Sequence, residues 1–227
     1  MTLAAVHAGA GAAPLAVRRL GTVHYGDALA LQEGLVQDRR AGRISDTLLL
    51  LQHPHVITLG SSSEPRHVLA GATERADLGI ELFETGRGGD VTYHGPGQLV
   101  GYPILALEET RRDLHRYLRD LEGALIDALG ALGVTAHRRE GLTGVWTAGG
   151  KIAAIGVRVS SGWITSHGFA LNVSTDLSYF DTIVPCGIDG CVVTSVEREL
   201  GRRIPLDGVE GRVVEALART FGRALVG

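Results

Sequence analysis

Residues Arg87 to Tyr102 read RGGDVTYHGPGQLVGY. Gly86, Gly88 and Gly89 let the backbone bend sharply and approach a ligand closely, and Gly95, Pro96 and Gly97 repeat that turn chemistry after His94. A short strand, Val91 to Tyr93, is expected between the two turns. Arg87 brings a fixed charge, while Tyr93, His94 and Gln98 bring hydrogen-bonding groups onto a rigid turn-strand-turn frame. Composition alone equally describes a tight β-hairpin, because glycine clusters mark turns more often than sites.

Outward from this stretch, Ile80 to Thr85 leads in as a strand and Leu99 to Leu105 leads out as another. Upstream, Leu15 to Leu20 reads as the first strand and Asp27 to Arg40 as a helix with Ala28, Leu31 and Leu35 on one face. Thr47 to Gln52, TLLLLQ, has the continuous apolar character of a buried central strand. His53 and His55 break it at a turn before a strand at Val56 to Leu59; no carboxylate or Cys beside them suggests a metal site. Ser61 to Arg75 is a polar loop, a candidate lid. Downstream, Leu114, Leu118, Leu121, Leu125, Ala128 and Leu132 mark an amphipathic helix stopped near Gly130 and Gly133. Strands follow at Val145–Thr147, Ile152–Ser160 and Ile164–Val173. Asp207 with Glu210 resembles a capping box before a helix striped by Val209, Val213, Leu217 and Phe221. Strands and helices without βαβ alternation predict a single-domain α+β fold, a mixed or largely antiparallel sheet backed by helices.

The 227 residues suit one domain with a substantial core, residues 14–227, behind a flexible tail at 1–13. A formal charge of −3 argues against a protein built to hold nucleic acid, and no apolar run is long enough for a bilayer. The first residues lack the basic start of a signal peptide, and a cytoplasmic location is expected. Cys186 and Cys191 are too few for a disulfide framework and lack a second ligand pair for zinc, so no metal is expected. Lys151 is the only lysine, so the other 21 of the 22 basic residues are arginine. An amine can give up its proton where a guanidinium does not, which suits Lys151 to proton transfer; chance survival in an arginine-rich sequence explains it as well. The GGK at 149–151 is not a phosphate loop, since Val145 and Ile152 stand where Gly and Ser or Thr belong.

A second focus is Asp181 to Gly190, DTIVPCGIDG. Pro185 fixes the chain before Cys186 and Gly187 leaves the thiol uncrowded, although an ordinary buried cysteine is the commoner use of the residue. Cys191 is expected to be structural.

Arg87, Gly88, Gly89, Thr92, Tyr93, His94, Gln98 and Tyr102 together resemble the signature of the octanoyltransferases of lipoate biosynthesis, in the superfamily of biotin and lipoate protein ligases. KIAAIG from Lys151, HGFALNV from His167 and PCG from Pro185 follow in that family's order. The resemblance implies the ligase-type catalytic domain. It implies Cys186 as nucleophile and Lys151 as the neighbour that favours its thiolate and relays protons. It places substrate contacts at Arg87, Gly88, Gly89, Asp90, Val91, Thr92, Tyr93 and His94, at Ala154, Ile155 and Gly156, and at Gly168, Phe169 and Ala170. By pattern alone the last two sets read rather as ordinary strand packing. Of the two histidines, His94 rather than His167 is expected to touch substrate. Asp90 occupies a variable slot.

The implied reaction moves an octanoyl group from octanoyl acyl carrier protein, through a Cys thioester, to the target lysine of lipoyl domains. The acceptors implied are 2-oxoacid dehydrogenase E2 subunits and the glycine cleavage H protein. No cofactor is implied. Backbone N–H groups near Gly187 or Gly156 are candidate oxyanion donors. Arg138, Arg139, Arg202 and Arg203 could meet an acidic carrier or form solvated surface. An ATP-dependent lipoate or biotin ligase and a non-catalytic acyl-carrier-binding module are the competing readings.

Overall fold

In the computed structural model, residues 12–188 and 190–226 are described. In chain order the elements are β1 (Ala13–Thr22), α1 (Tyr25–Arg40), β2 (Asp46–Gln52), β3 (Val56–Leu59), α2 (Ala72–Asp77), β4 (Glu81–Glu84), β5 (Thr92–His94), β6 (Gln98–Ile104), α3 (Leu114–Ala131), β7 (His137–Arg139), β8 (Leu142–Thr147), β9 (Gly150–Ser160), β10 (Ile164–Asn172), α4 (Val196–Leu200), α5 (Leu206–Phe221) and β11 (Arg223–Val226). Eight strands form one sheet in the order β11-β1-β2-β6-β10-β9-β8-β7, and β4-β3-β5 form a second. The large sheet is parallel across β11, β1 and β2 and antiparallel from β2 onward, the mixed sheet that the sequence predicts. Most of the expected tail, residues 1–11, lies outside the described residues; β1 begins at Ala13.

β2 shows why its sequence lacks polar alternation. Leu48 and Leu50 pack into the core beneath α3 and α5, while Leu49 and Leu51 face the opposite cluster beneath α1. With both faces covered, each leucine is buried, which contributes about 1.5–3 kcal/mol per side chain before entropy is counted. On α5 all four expected positions are buried. On α3 the buried face centres on Tyr117, Leu121, Ala124, Leu125 and Ala128, and Leu114 at the helix start stays 43 % exposed.

Several expectations shift. β5 and β6 do not form a hairpin: β5 pairs with β3 in the small sheet and β6 with β2 and β10 in the large one. Gly95-Pro96-Gly97 therefore carries the chain between sheets. Asp207 and Glu210 are not a capping box, because α5 starts two residues earlier, with Pro205 as its N-cap; Asp207 accepts from Gly208 N and Glu210 pairs with Arg19. The segment 61–75 is tied down rather than open, with a 3-10 turn at Pro65–His67 and an antiparallel bridge from Val68 to Ile183. Two short strands were not foreseen, β7 because its three residues are exposed and polar, and β11 because its partner β1 lies at the other end of the chain.

Candidate active site

Cys186 lies in a 3-10 turn, Pro185–Gly187, with φ 56° and ψ 22°. A left-handed backbone is uncommon for a residue with a Cβ, and here it is held from several sides. Cys186 N donates to Val91 O at 3.1 Å, Gly187 N to Val184 O at 3.0 Å and Val184 N to His67 O at 2.8 Å. Gly187 follows with φ 66°, and a Cβ there would collide with the Asp90 carboxylate, so only glycine fits. Asp90 Oδ2 accepts from His67 Nδ1 at 2.6 Å, and its Oδ1 accepts from Val91 N. The Asp90–His67 pair thus fixes the floor under the cysteine turn. His67 was invisible in the sequence: it lies 23 residues from Asp90 in a polar segment, with no motif around it.

Lys151, near the start of β9, is 4 % exposed, and its Nζ donates to Cys186 Sγ at 2.9 Å. The strand holds the lysine at this depth: Lys151 N donates to Val192 O and its carbonyl accepts from Thr194 N. Its Nζ stands 4.9 Å from the centroid of the Trp146 ring, which supplies a cation–π contact in place of a carboxylate. Gly144 leaves the space, since a Cβ there would come within 2.7 Å of Lys151 Cε. Glu122, buried on α3, accepts from Gly144 N and pairs with Arg119 and Arg138, so β8 is pinned next to the lysine. An ammonium at hydrogen-bond distance stabilises negative charge on sulfur.

The dyad opens onto a cavity of about 200 Å³. Arg87, Gly89, Asp90, Val91, Thr92, His94, Ala154, Ile155, Gly156, Gly168, Phe169 and Ala170 all line it, with Lys151 and Cys186. Gly88 and Tyr93 do not. Tyr93 alternates to the other side of β5, where its ring stacks on Tyr179 and His55. Gly88 N donates to Val157 O, so the residue ties the turn to β9.

Behind the wall runs a chain of buried polar groups. Arg87 Nε and Nη2 donate to Thr58 Oγ1, and Nη2 also to Thr58 O at 2.7 Å. Thr58 Oγ1 contacts His94 Nε2 at 3.3 Å, and His94 Nδ1 donates to Gln98 Oε1 at 2.8 Å. Gln98 Nε2 donates to Asn172 Oδ1, and Asn172 to Thr194 O, beside Lys151. Both ring nitrogens of His94 are therefore engaged, and its surface towards the cavity is the ring itself. Burial keeps His94 neutral, holding its pKa well below the usual value.

Further wall residues are Tyr25, Tyr102, Leu142, His167 and Ile188. Tyr102 donates to His53 Nε2 at 2.8 Å, because His53 Nδ1 donates to Val23 O at 2.7 Å; burial lowers the His53 pKa to about 4. His167, which the sequence reading set aside, faces the same cavity. Cys191 is only half-buried and joins none of the core clusters, so it is not the structural cysteine expected. Gly187 N–H is taken by Val184 O, which removes it as an oxyanion donor. Among the described residues no group of three or more His, Cys, Asp or Glu could hold a metal ion, and no helix is long and apolar enough to cross a membrane.

Residues 24–218 match the family model of the lipoyl protein ligase A/B catalytic domain. An octanoyltransferase of Rubrobacter xylanophilus is 56 % identical over 212 residues, covering 92 % of this chain and 95 % of that protein. One of Solibacter usitatus is 54 % identical over 205 residues, 90 % and 92 % of the two chains. Among solved structures, lipoate-protein ligase A bound with ATP superposes with TM-score 0.66 at 16 % identity, covering 95 % of this chain and 90 % of that one. Biotin protein ligase from Aquifex aeolicus in complex with biotin and ATP does so with TM-score 0.55 at 14 % identity, covering 92 % and 70 %. The two ligases share the fold. The chain belongs to the octanoyltransferases, acyltransferases built on the lipoyl protein ligase A/B catalytic domain.

Proposed function

We propose that this enzyme transfers an octanoyl group from octanoyl acyl carrier protein to the target lysine of lipoyl domains through a thioester on Cys186. The acceptors in this reading are E2 subunits of 2-oxoacid dehydrogenases and the glycine cleavage H protein. The observation that carries it is the 2.9 Å contact from Lys151 Nζ to Cys186 Sγ at the wall of an apolar-lined cavity.

The thiolate of Cys186 attacks the carbonyl carbon of the donor thioester. The tetrahedral intermediate collapses by breaking the bond to the carrier's sulfur, which leaves with a proton from the Lys151 ammonium. Lys151 is then a neutral amine. The acceptor's amine attacks the enzyme thioester, Lys151 takes its proton, and Cys186 leaves as thiolate, which restores the starting pair. Thioester exchange is nearly balanced and thioester to amide runs downhill, so the cycle closes without ATP. The backbone of Cys186 needs no rearrangement, since its turn is braced by Val91 and by the Asp90–His67 pair.

The test is intact-protein mass spectrometry after mixing the enzyme with octanoyl acyl carrier protein without ATP, beside Cys186→Ser. One octanoyl adduct, released by hydroxylamine and missing from the variant, is expected. ATP-dependent modification that survives Cys186→Ser selects the ligase reading, and carrier binding without any adduct selects the binding module.

A further inference from the structure

A second cavity, also about 200 Å³, lies between α1 and the far ends of β9 and β10; Leu29 and Val36 form its apolar side, and polar side chains, among them Gln32, Glu33, Arg40 and Arg158, line the rest. Among the described residues it shares one wall residue with the dyad's cavity, His167. His167 pairs with Val157 across β9 and β10, and 157 − 151 = 6 residues along β9 separate that pair from Lys151. The shared residue therefore stands at the end of the acyl cavity away from the dyad.

The backbone and the ring of His167 are held differently. The backbone is clamped: φ is 54° and its N–H donates to Gln32 Oε1 at 2.8 Å. The ring is not. Its Nδ1 is buried without a hydrogen-bond partner among the described residues, and its ring contact is an edge-on approach to Tyr102 at 6.3 Å. Burial, with Arg87 and Arg158 nearby, lowers its pKa to about 4, so the ring is neutral at physiological pH and compatible with a hydrocarbon end. The ring stands where the two cavities meet.

Resting on the transferase reading above, we propose that the His167 ring is the stop that limits acyl-chain length. The apolar side of the space behind it, Leu29 and Val36, accepts the additional carbons once the ring is cut back. A longer chain meets the imidazole face in the native enzyme; without it, the chain end passes towards Leu29 and Val36.

The test uses His167→Gly, since glycine takes φ 54° without strain, and His167→Asn, because asparagine tolerates the left-handed region and is shorter than the ring. Each is mixed with acyl carrier protein loaded with octanoyl, decanoyl, dodecanoyl or tetradecanoyl groups, and Cys186 acylation is followed by intact mass under single-turnover conditions. Both variants are expected to raise the dodecanoyl-to-octanoyl rate ratio by at least about tenfold, the scale at which a hydrophobic pocket discriminates small changes in chain size. Adding Leu29→Trp to His167→Gly, which fills the second cavity from α1, is expected to return the ratio towards the native value. A folded glycine or asparagine variant that acylates Cys186 with the native chain-length profile overturns the stop while leaving the transferase reading intact. Absence of an adduct with every chain length in the native enzyme overturns the transferase reading, and the stop with it.

Discussion

Arg223 and Arg87 are 9 % and 7 % exposed, one at the start of β11 and the other beside the cavity, yet their surroundings differ in kind. Arg223 donates to Asp46 Oδ2 at 2.8 Å and to Glu108 at 2.6 Å, and Asp46 also binds Arg39 and the Ala106 amide. Arg87 meets only neutral oxygens, those of Thr58 and Gly88, and makes no ion pair among the described residues. Lys151 resembles Arg87, with a thiol and an indole face around its ammonium. A paired arginine has its field cancelled where it stands. An unpaired one projects it into the cavity, where a thiolate or a developing oxyanion is stabilised.

The largest effect expected from this contrast is kinetic. Lys151→Met removes the amine and its proton, and octanoyl transfer should fall about 10²- to 10⁴-fold while urea unfolding shows no loss of stability, because a buried cation has been replaced by an apolar chain. A drop in stability of several kcal/mol would place the lysine with the structural charges instead. In the proposed cycle Lys151 has two roles, which Lys151→Arg separates: a guanidinium would hold the thiolate but cannot take the acceptor's proton, so acylation of Cys186 should persist in part while the second half-reaction slows severely. Equal loss of both halves breaks that division.

At the other centre the effect is on folding. Asp46→Ala leaves Arg223 buried beside only the half-exposed Glu108, and stability measured by urea unfolding should fall by about 3–5 kcal/mol. Transfer by the molecules that remain folded should stay within a few-fold of native. A large loss of transfer at full stability would mean that the two centres are coupled, and the comparison would fail.

The buried histidines extend the contrast to pH. His53 and His167 have pKa values lowered to about 4, and His94 is held well below its usual value, each mainly by burial. The unfolded chain takes up protons at these rings from about 6.5 downward, whereas the native state does not until near 4. The unfolded state therefore binds more protons in that window, and stability rises with pH across it. Relative to neutral pH, up to about 3 kcal/mol for each of His53 and His167 is lost on acidification to pH 4. Urea unfolding at pH 7 and pH 4.5 measures the slope, and His53→Gln should flatten it. A pH-independent stability would show that the rings bind protons in the native state.

Much of this was legible in sequence, for local reasons. TLLLLQ gives a doubly covered strand because its four central positions are all apolar, and PCG gives an uncrowded, half-buried thiol because its neighbours restrict and free the backbone on either side. One wall of the cavity was legible as one stretch, since β5 delivers Thr92 and His94 to one face and Tyr93 to the other. What stayed hidden was long-range. His67 reaches Asp90, Glu122 reaches Gly144 and Gln32 reaches the amide of His167, the last across 135 residues, each through a polar side chain with no periodic or motif context. The crossing from the small sheet to the large one between β5 and β6 was hidden for the opposite reason, because two adjacent strands and a glycine turn look the same whether or not they pair.

Helix starts repeat the lesson on a smaller scale. At α4, Ser195 precedes the helix with φ −138° and its Oγ accepts from Arg198 N at 3.3 Å, a donor that has no partner within the helix. At α5, Asp207 already lies inside the first turn, and its carboxylate bonds only the amide of the next residue. Sequence spacing favours the second site, since Asp207 has Glu210 three residues on; the backbone favours the first. Ser195→Ala should therefore lower stability by about 1 kcal/mol, whereas Asp207→Ala should change it by less than about 0.5 kcal/mol. Parallel urea titrations of the two variants check the order. If Asp207→Ala proves the more costly, the carboxylate acts through the N-terminal dipole of α5 rather than through a cap. Raising the salt concentration should then abolish the difference.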